Sequence, residues 1–256
     1  MRHSIIFLLI FLLSGCSHFK DKGDDTAGWD ADRLYAEARG ELDTGSYDKA
    51  VEYYQKLETK FPFGVHAQQA LLDLAYAHYK NEDPDAALAA SDRFIKLYPQ
   101  NPHVDYAYYL KGLTNFNRGK GFLQRYMPTD ESQRDPGAAF SAFQDFSELV
   151  KRFPESSYAE DSAKRMRYLR NILAKNEVHV ANYYMRRGAF VAAANRARYV
   201  IENYPKTPAV PDALAVMAKA YRVLEMDDLS NDALRVLELN YPNHPGLYEV
   251  ADIQIE

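Results

Sequence analysis

The residue with the most distinctive chemistry in this 256-residue chain is its single cysteine, Cys16. One thiol cannot close an intramolecular disulfide, and it cannot build a Cys-based zinc site. The seven histidines, at positions 3, 18, 66, 78, 103, 179 and 244, show no metal-ligand spacing. The chain holds no HExxH, GxSxG, Walker loop or GxGxxG, and Gly119-Lys120-Gly121 is too short to cradle a phosphate. Asp83-Pro84-Asp85 reads as an inter-helix turn with a helix N-cap, not as a catalytic carboxylate pair. What remains is the chemistry of a modified thiol, of aromatic faces and of arginine forks. These are the tools of binding, and no catalytic residue is expected.

The surroundings of Cys16 give it a task. Arg2 and His3 precede nine consecutive apolar residues, Ile5 to Leu13. That run is about half of what a membrane-spanning helix needs, and it reads as a secretory signal over residues 1–15. Leu13-Ser14-Gly15-Cys16 then resembles the bacterial lipobox. The small pair lets a peptidase close on the backbone, and the thiol takes an S-diacylglycerol, with an N-acyl group added after cleavage. A single acyl chain holds weakly, at about 0.8 kcal/mol per buried CH₂, whereas three hold for good. Ser17 after the cysteine, in place of Asp, points to the outer membrane. Residues 16–27 are polar and lack an apolar period. They read as a tether reaching roughly 35–40 Å at full stretch. No cofactor is expected beyond these covalent lipids.

Composition fits a globular protein beyond the leader. Apolar residues make up 47% and charged residues 26%, with 20 Tyr and 13 Phe against one Trp. A net charge of −5 argues against general nucleic-acid binding, which needs a basic footprint.

The elements that must position the binding residues come from a repeat. Phe61-Pro62, Tyr98-Pro99, Phe153-Pro154, Tyr204-Pro205 and Tyr241-Pro242 stand 37, 55, 51 and 37 residues apart. Twelve residues before each Pro lies a small side chain: Ala50, Ala87, Ala142, Ala193 and Ser230. Five before lies a large apolar one: Leu57, Phe94, Leu149, Val200 and Leu237. Twenty-four before lie Ala38, Ala75, Ala181 and Ala218, with Gly112 in that role in the third unit. Small residues where two helices cross, and a Pro that ends the second helix, make the tetratricopeptide pattern. The chain is expected to be all-α, a tetratricopeptide-repeat solenoid of five helix-turn-helix units. The large residue five before the Pro replaces the small one usual there, and is expected to loosen or shift packing onto the next unit.

The long spacings place two insertions. Residues 118–135 are rich in Gly, charge and Pro and read as a loop between the third unit's helices. In the fourth unit, Tyr158 to Arg187 has no Gly or Pro and keeps its apolar spacing. The extra residues extend one helix to about 30 residues, ended by Gly188. Units one and two span 28–103, units three to five span 104–242, and 243–256 reads as a tail.

Several stretches are more specific than the repeat. Phe61-Pro62-Phe63-Gly64, Leu72-Asp73-Leu74, Tyr79-Lys80-Asn81, Asp92-Arg93-Phe94-Ile95, Gly112-Leu113-Thr114-Asn115 and Arg187-Gly188-Ala189 resemble the BamD family. These are lipoproteins of the outer-membrane β-barrel assembly machine of Gram-negative bacteria. The resemblance implies a scaffold held by its lipid on the periplasmic face of the outer membrane. It also implies a C-terminal half that binds the periplasmic domains of BamA. The N-terminal half would receive unfolded outer-membrane β-barrel proteins and the lipoprotein BamC.

Particular residues fit these roles. Tyr76, Tyr79, Tyr106, Tyr108 and Tyr109 cluster on first helices, suited to the aromatic-rich terminal strand of a barrel precursor, though repeat core explains any one of them as well. Phe63 and Gly64 are not demanded by the repeat, and with Tyr76 and Tyr79 they are expected to form one peptide groove. Arg186, Arg187, Arg196 and Arg198 form a basic cluster, and the setting of Arg196 resembles that of the family's arginine that pairs with an acidic residue of BamA. Ala197 and Arg198 depart from the family pattern. Arg196 and Arg187 are the candidate BamA contacts. The competing readings are another periplasmic repeat adaptor, serving cell-wall synthesis, and a cell-wall hydrolase subunit.

Overall fold

The computed structural model describes residues 25–118 and 130–251. Cys16, the signal segment and residues 119–129 of the expected loop lie outside the described residues. Eleven helices follow in order: α1 Ala31–Thr44, α2 Tyr47–Lys60, α3 Ala67–Lys80, α4 Pro84–Leu97, α5 Val104–Asn117, α6 Gly137–Arg152, α7 Ala159–Arg186, α8 Phe190–Asn203, α9 Val210–Val223, α10 Asp227–Asn240 and α11 Gly246–Ala251. A short 3₁₀ turn, Glu131–Gln133, precedes α6. The architecture is all-α, with consecutive helices packed in pairs as the repeat requires.

Local signals set the helix ends. Asp30 caps α1 by accepting the Arg33 N–H at 2.8 Å, and Asp83 caps α4 by accepting from Ala86 at 3.2 Å. Each second helix stops at the aromatic residue before its proline. Phe61, Tyr98, Phe153, Tyr204 and Tyr241 each donate their N–H to the carbonyl four residues back, at 2.7–2.8 Å. Their φ values, from −124° to −141°, are extended, as a following Pro demands.

Four first helices stop by one common device. The N–H groups of Ser46, Asp83, Ala189 and Met226 reach back to the carbonyls of Glu41, His78, Tyr184 and Tyr221. The residue before each has positive φ: Gly45 at 83°, Glu82 at 58°, Gly188 at 73° and Glu225 at 57°. Two units use glycine there and two force glutamate into the left-handed region.

The small positions lie where the helices cross. Ala38, Ala50, Ala75, Ala87, Ala142, Ala181, Ala193, Ala218 and Ser230 are fully buried. Ser230 donates its hydroxyl to the Ala218 carbonyl at 3.0 Å, joining the two small positions of unit five. Gly112 fills its expected role for a steric reason: a Cβ there would stand 2.4 Å from the Phe146 ring. Leu57, Phe94, Leu149, Val200 and Leu237 are also buried. The large side chains at those five positions are thus accommodated inside the stack.

The α7 helix, 28 residues long, confirms the in-register extension. Its first half packs Leu169 against Phe146 of unit three, and its second half packs Ala174, Val178 and Ala181 against α8 and α9. It joins the two halves of the molecule.

Three boundaries differ from the sequence reading. Thr26 is buried and its carbonyl accepts from Lys60 Nζ at 2.8 Å, so the expected tether ends before residue 26. Asn176 Nδ2 donates to the carbonyls of Ser132 and Arg134, so the last part of the expected loop is fastened to α7. The expected tail contains α11, with Val250 buried and Lys219 paired to Glu249. A Cβ at Gly246 would stand 2.4 Å from Ala215 Cβ, and this close approach is what lets α11 dock.

Candidate peptide-binding and partner-binding surfaces

Tyr76 and Tyr79 lie one helical turn apart on α3, with ring centroids 6.3 Å apart. Tyr106 on α5 adjoins them, and Tyr158 lies 5.5 Å beyond it. Tyr158 in turn stacks on Tyr109 at 4.7 Å. The result is an aromatic band over the first helices of units two and three, running to the start of α7. The band is half core: its rings are half-buried, and Tyr108 is buried. Several hydroxyls are already engaged. Tyr79 accepts from Asn117 Nδ2 at 2.7 Å, and Tyr109 donates to Asp161 at 2.7 Å. Burial, with the Asp161 hydrogen bond second, pushes the Tyr109 hydroxyl up to about 12. Burial likewise raises Tyr106. The Tyr106 and Tyr109 hydroxyls therefore remain protonated, and that of Tyr109 is already committed to Asp161.

Beneath the band lies a polar cluster around Asp73, which the sequence names within Leu72-Asp73-Leu74 without revealing it as a buried hub. Asp73 is 7% exposed. Its Oδ2 accepts from Tyr35 at 3.0 Å and from Tyr54 at 3.3 Å, and Arg39 Nη1 lies 3.5 Å away. Its Oδ1 accepts from Gln69 at 2.8 Å. Burial first, then the Asp73 charge, pushes the Tyr35 hydroxyl up to about 12 and raises Tyr54 further. The available signal was a lone carboxylate inside the apolar run Leu71–Ala77. Asp73 serves as an internal hub with its acceptors occupied.

Phe63 and Gly64 do not join the tyrosines in one groove. They sit on the turn before α3, and Phe63 is 98% exposed, so it lines no pocket. Tyr76 lies about 14 Å along α3 at 1.5 Å per residue, and Tyr79 about 18 Å. A Cβ on Gly64 would meet the Phe61 carbonyl oxygen at 3.4 Å, an ordinary contact, so the turn does not require glycine there.

Arg196 is half-exposed on α8 and pairs with Glu177 of α7 at 3.1 Å. With Tyr184, Ala192, Asn195 and Tyr199 it lines a shallow hollow between those helices. Arg187, at the end of α7, lies over the Tyr183 ring at 5.4 Å. Arg198 turns to Asn195 and Glu202. Three of the arginines therefore divide: Arg196 faces the hollow, Arg187 lies over Tyr183, and Arg198 pairs along its own helix. The sequence reading missed Glu177.

Among the described residues no cluster of three or more His, Cys, Asp or Glu side chains is arranged to hold a metal ion, and no helix is long and apolar enough to cross a membrane. The family model described as "Outer membrane lipoprotein", YfiO, matches residues 28–237. The outer membrane protein assembly factor BamD of Neisseria meningitidis serogroup B is 49% identical over 222 residues, covering 87% of this chain and 83% of that protein. The chain belongs to the BamD family. BamD of Xylella fastidiosa strain Temecula1 is 38% identical, over 95% of this chain and 83% of its own. BamD of Vibrio cholerae is 36% identical, over 91% and 95%. These relatives span both halves of the repeat stack, so the family likeness extends well beyond one motif.

Proposed function

We propose that this BamD-family lipoprotein is a scaffold of outer-membrane β-barrel assembly, anchored by lipid at Cys16 and acting through two separate surfaces. Its role as an outer-membrane protein assembly factor follows from family membership. The aromatic band around Tyr76, Tyr79 and Tyr106 receives unfolded β-barrel precursors. Arg196, with Arg187 beside it, binds an acidic site on the periplasmic domains of BamA, and BamC docks on the N-terminal half. No step is covalent.

The observation that carries this reading is the division itself. Aromatic rings lie in a row on units two and three, and the exposed arginine hollow lies on unit four. An extended apolar strand suits the first surface, and a folded partner with carboxylates suits the second. The Glu177 pairing supports the second role, because it holds the Arg196 fork in place while leaving it half in solvent. A BamA carboxylate would share that fork, not find it free.

Photo-crosslinkers at 76 and at 196 in otherwise intact protein test the division. Precursor is expected at 76 and BamA at 196; the reverse capture refutes the assignment. Cys16→Ser is expected to leave the precursor uncleaved and misplaced while the repeats fold, as judged by fractionation and circular dichroism.

A further inference from the structure

The five inter-repeat turns can be compared position by position. In four of them the N–H of the residue two after the proline donates to the carbonyl of the aromatic residue before it: Gly64 to Phe61, Asn101 to Tyr98, Ser156 to Phe153 and His244 to Tyr241, at 3.0–3.1 Å. The residue just after the proline differs sharply. It is Gln100, Glu155, Lys206 and Asn243 in units two to five, all polar, but Phe63 in unit one. Phe63 is 98% exposed and Val65 is 87% exposed. The turn's geometry does not ask for an aromatic ring at position 63, since polar residues serve there in the other four units; at the position of Val65 they carry Pro102, Ser157, Pro208 and Pro245. Nor does the core use Phe63 or Val65. Phe63 and Val65 thus form an exposed apolar pair on one turn, not a single scattered side chain.

The place of this turn says what the contact is. The chain arrives from Cys16 at this same end. Thr26 is docked on Lys60, three residues before Phe63. His66, which closes the turn, bonds Asp32 in the first turn of α1 at 2.7 Å and stacks on Tyr35 at 4.5 Å. Two independent contacts therefore fix the apolar turn beside the point where the chain from Cys16 meets the folded stack. Ten residues separate Cys16 from Thr26, and ten residues reach at most about 35 Å. Of the five turns, the apolar one is thus the one that the lipid holds nearest to the bilayer. Pro62, Phe63, Gly64 and Val65 carry no charge, so no ionised group of the turn must be stripped of water as it meets lipid.

We infer that the Phe63–Val65 turn is a second membrane contact, which seats its two apolar side chains in the interfacial layer of the phospholipid surface that holds Cys16. The inference rests on the lipid anchor proposed above. It adds an orientation: two attachments, one covalent and one by contact, hold the first unit's turn edge toward the bilayer.

The test uses the full lipidated protein in phosphatidylethanolamine/phosphatidylglycerol vesicles. Lipidation consumes the one natural cysteine, so Phe63→Cys, Val65→Cys and Leu239→Cys each offer a unique thiol for an environment-sensitive fluorophore. Leu239 is the control, 77% exposed and at the other end of the stack. Brominated lipids are expected to quench the labels at 63 and 65 several-fold more than the label at 239. Equal quenching at all three sites, in protein that floats with the vesicles, overturns the inference and leaves the anchor standing. Protein that fails to float overturns the anchor, and the inference with it. A label at 63 that ignores vesicles but responds to an unfolded β-barrel precursor makes the turn a peptide site instead, and also overturns it.

Discussion

The two halves of the stack build the same repeat from different materials. In units one to three the buried cluster contains Leu34, Tyr54, Leu57, Leu71, Leu72, Leu74, Phe94 and Leu110. In unit four and its neighbours it is Ala174, Ala181, Ala193, Ala194, Ala197, Ala213 and Ala220, with Val178, Val200 and Val216. The first half adds large side chains to its alanines and carries a buried polar hub at Asp73; unit four is filled mainly by alanine and valine, and leucine returns at Leu214 and Leu237 in unit five. Helix pairing thus depends on the placement of small crossing residues, while the seam between units tolerates either filling. The first half can therefore display aromatic rings that are partly its own core. The second keeps its core thin and gives its surface to charge.

The strongest way to break this comparison is to truncate equivalent seam positions. Phe94→Ala is expected to cost about 3–5 kcal/mol, because a large buried ring leaves a cavity. Val200→Ala, at the same repeat position, is expected to cost about 1–2 kcal/mol from two lost methyl groups. Denaturant melts of the two variants measure both, and equal losses would show that the halves are not differently packed.

The hub offers a smaller effect confined to one half. Asp73→Asn removes the charge that receives both tyrosine hydroxyls, with an expected loss of about 1–3 kcal/mol. Hydrogen exchange is expected to quicken in α1 to α3 and to stay unchanged in α9 and α10.

Those two halves were unequally legible in the sequence. The five aromatic–proline pairs and the small residues behind them gave the fold, because helix crossings constrain side-chain size at fixed spacing. Gly112 was readable through an insertion for the same reason. The separation of Phe63 from Tyr76 and Tyr79 was not legible, because residue types alone do not carry the rise of α3 between them. Glu177 and α11 were missed because their roles depend on contacts between helices. Nineteen residues separate Glu177 from Arg196, and the docking of α11 depends on the fit of Gly246 against Ala215.

A still smaller change tests what the halves share. Glu82→Gly and Glu225→Gly each relieve a left-handed φ and are expected to stabilise by about 0.5–1 kcal/mol, alike in both halves. Thermal melting checks this, and a gain in one half alone would show that the common helix stop is not equivalent in the two.

The smallest effect is in pH. Burial lowers the affinity of His78 for a proton, with Asp83 opposing less strongly. Its folded pKa thus lies below the unfolded value of about 6.5. The neutral form's contribution is complete above that value and is lost as pH falls below it toward the folded pKa. His78→Gln is expected to flatten that part of the stability profile, read by chemical denaturation between about pH 7 and pH 5.

The continuity of α7 through its 28 residues has a geometric consequence. A straight α-helix of that length is about 42 Å long, and each residue turns it by about 100°. The helix therefore sets both the gap and the phase between the aromatic surface and the arginine surface. Deleting fourteen residues would shorten the gap by about 21 Å while turning one surface only about 40° around the axis. Deleting two would hardly shorten it, yet would swing the arginines about 200°, away from any partner aligned with the other half. Angular register, more than reach, is what this helix has to preserve.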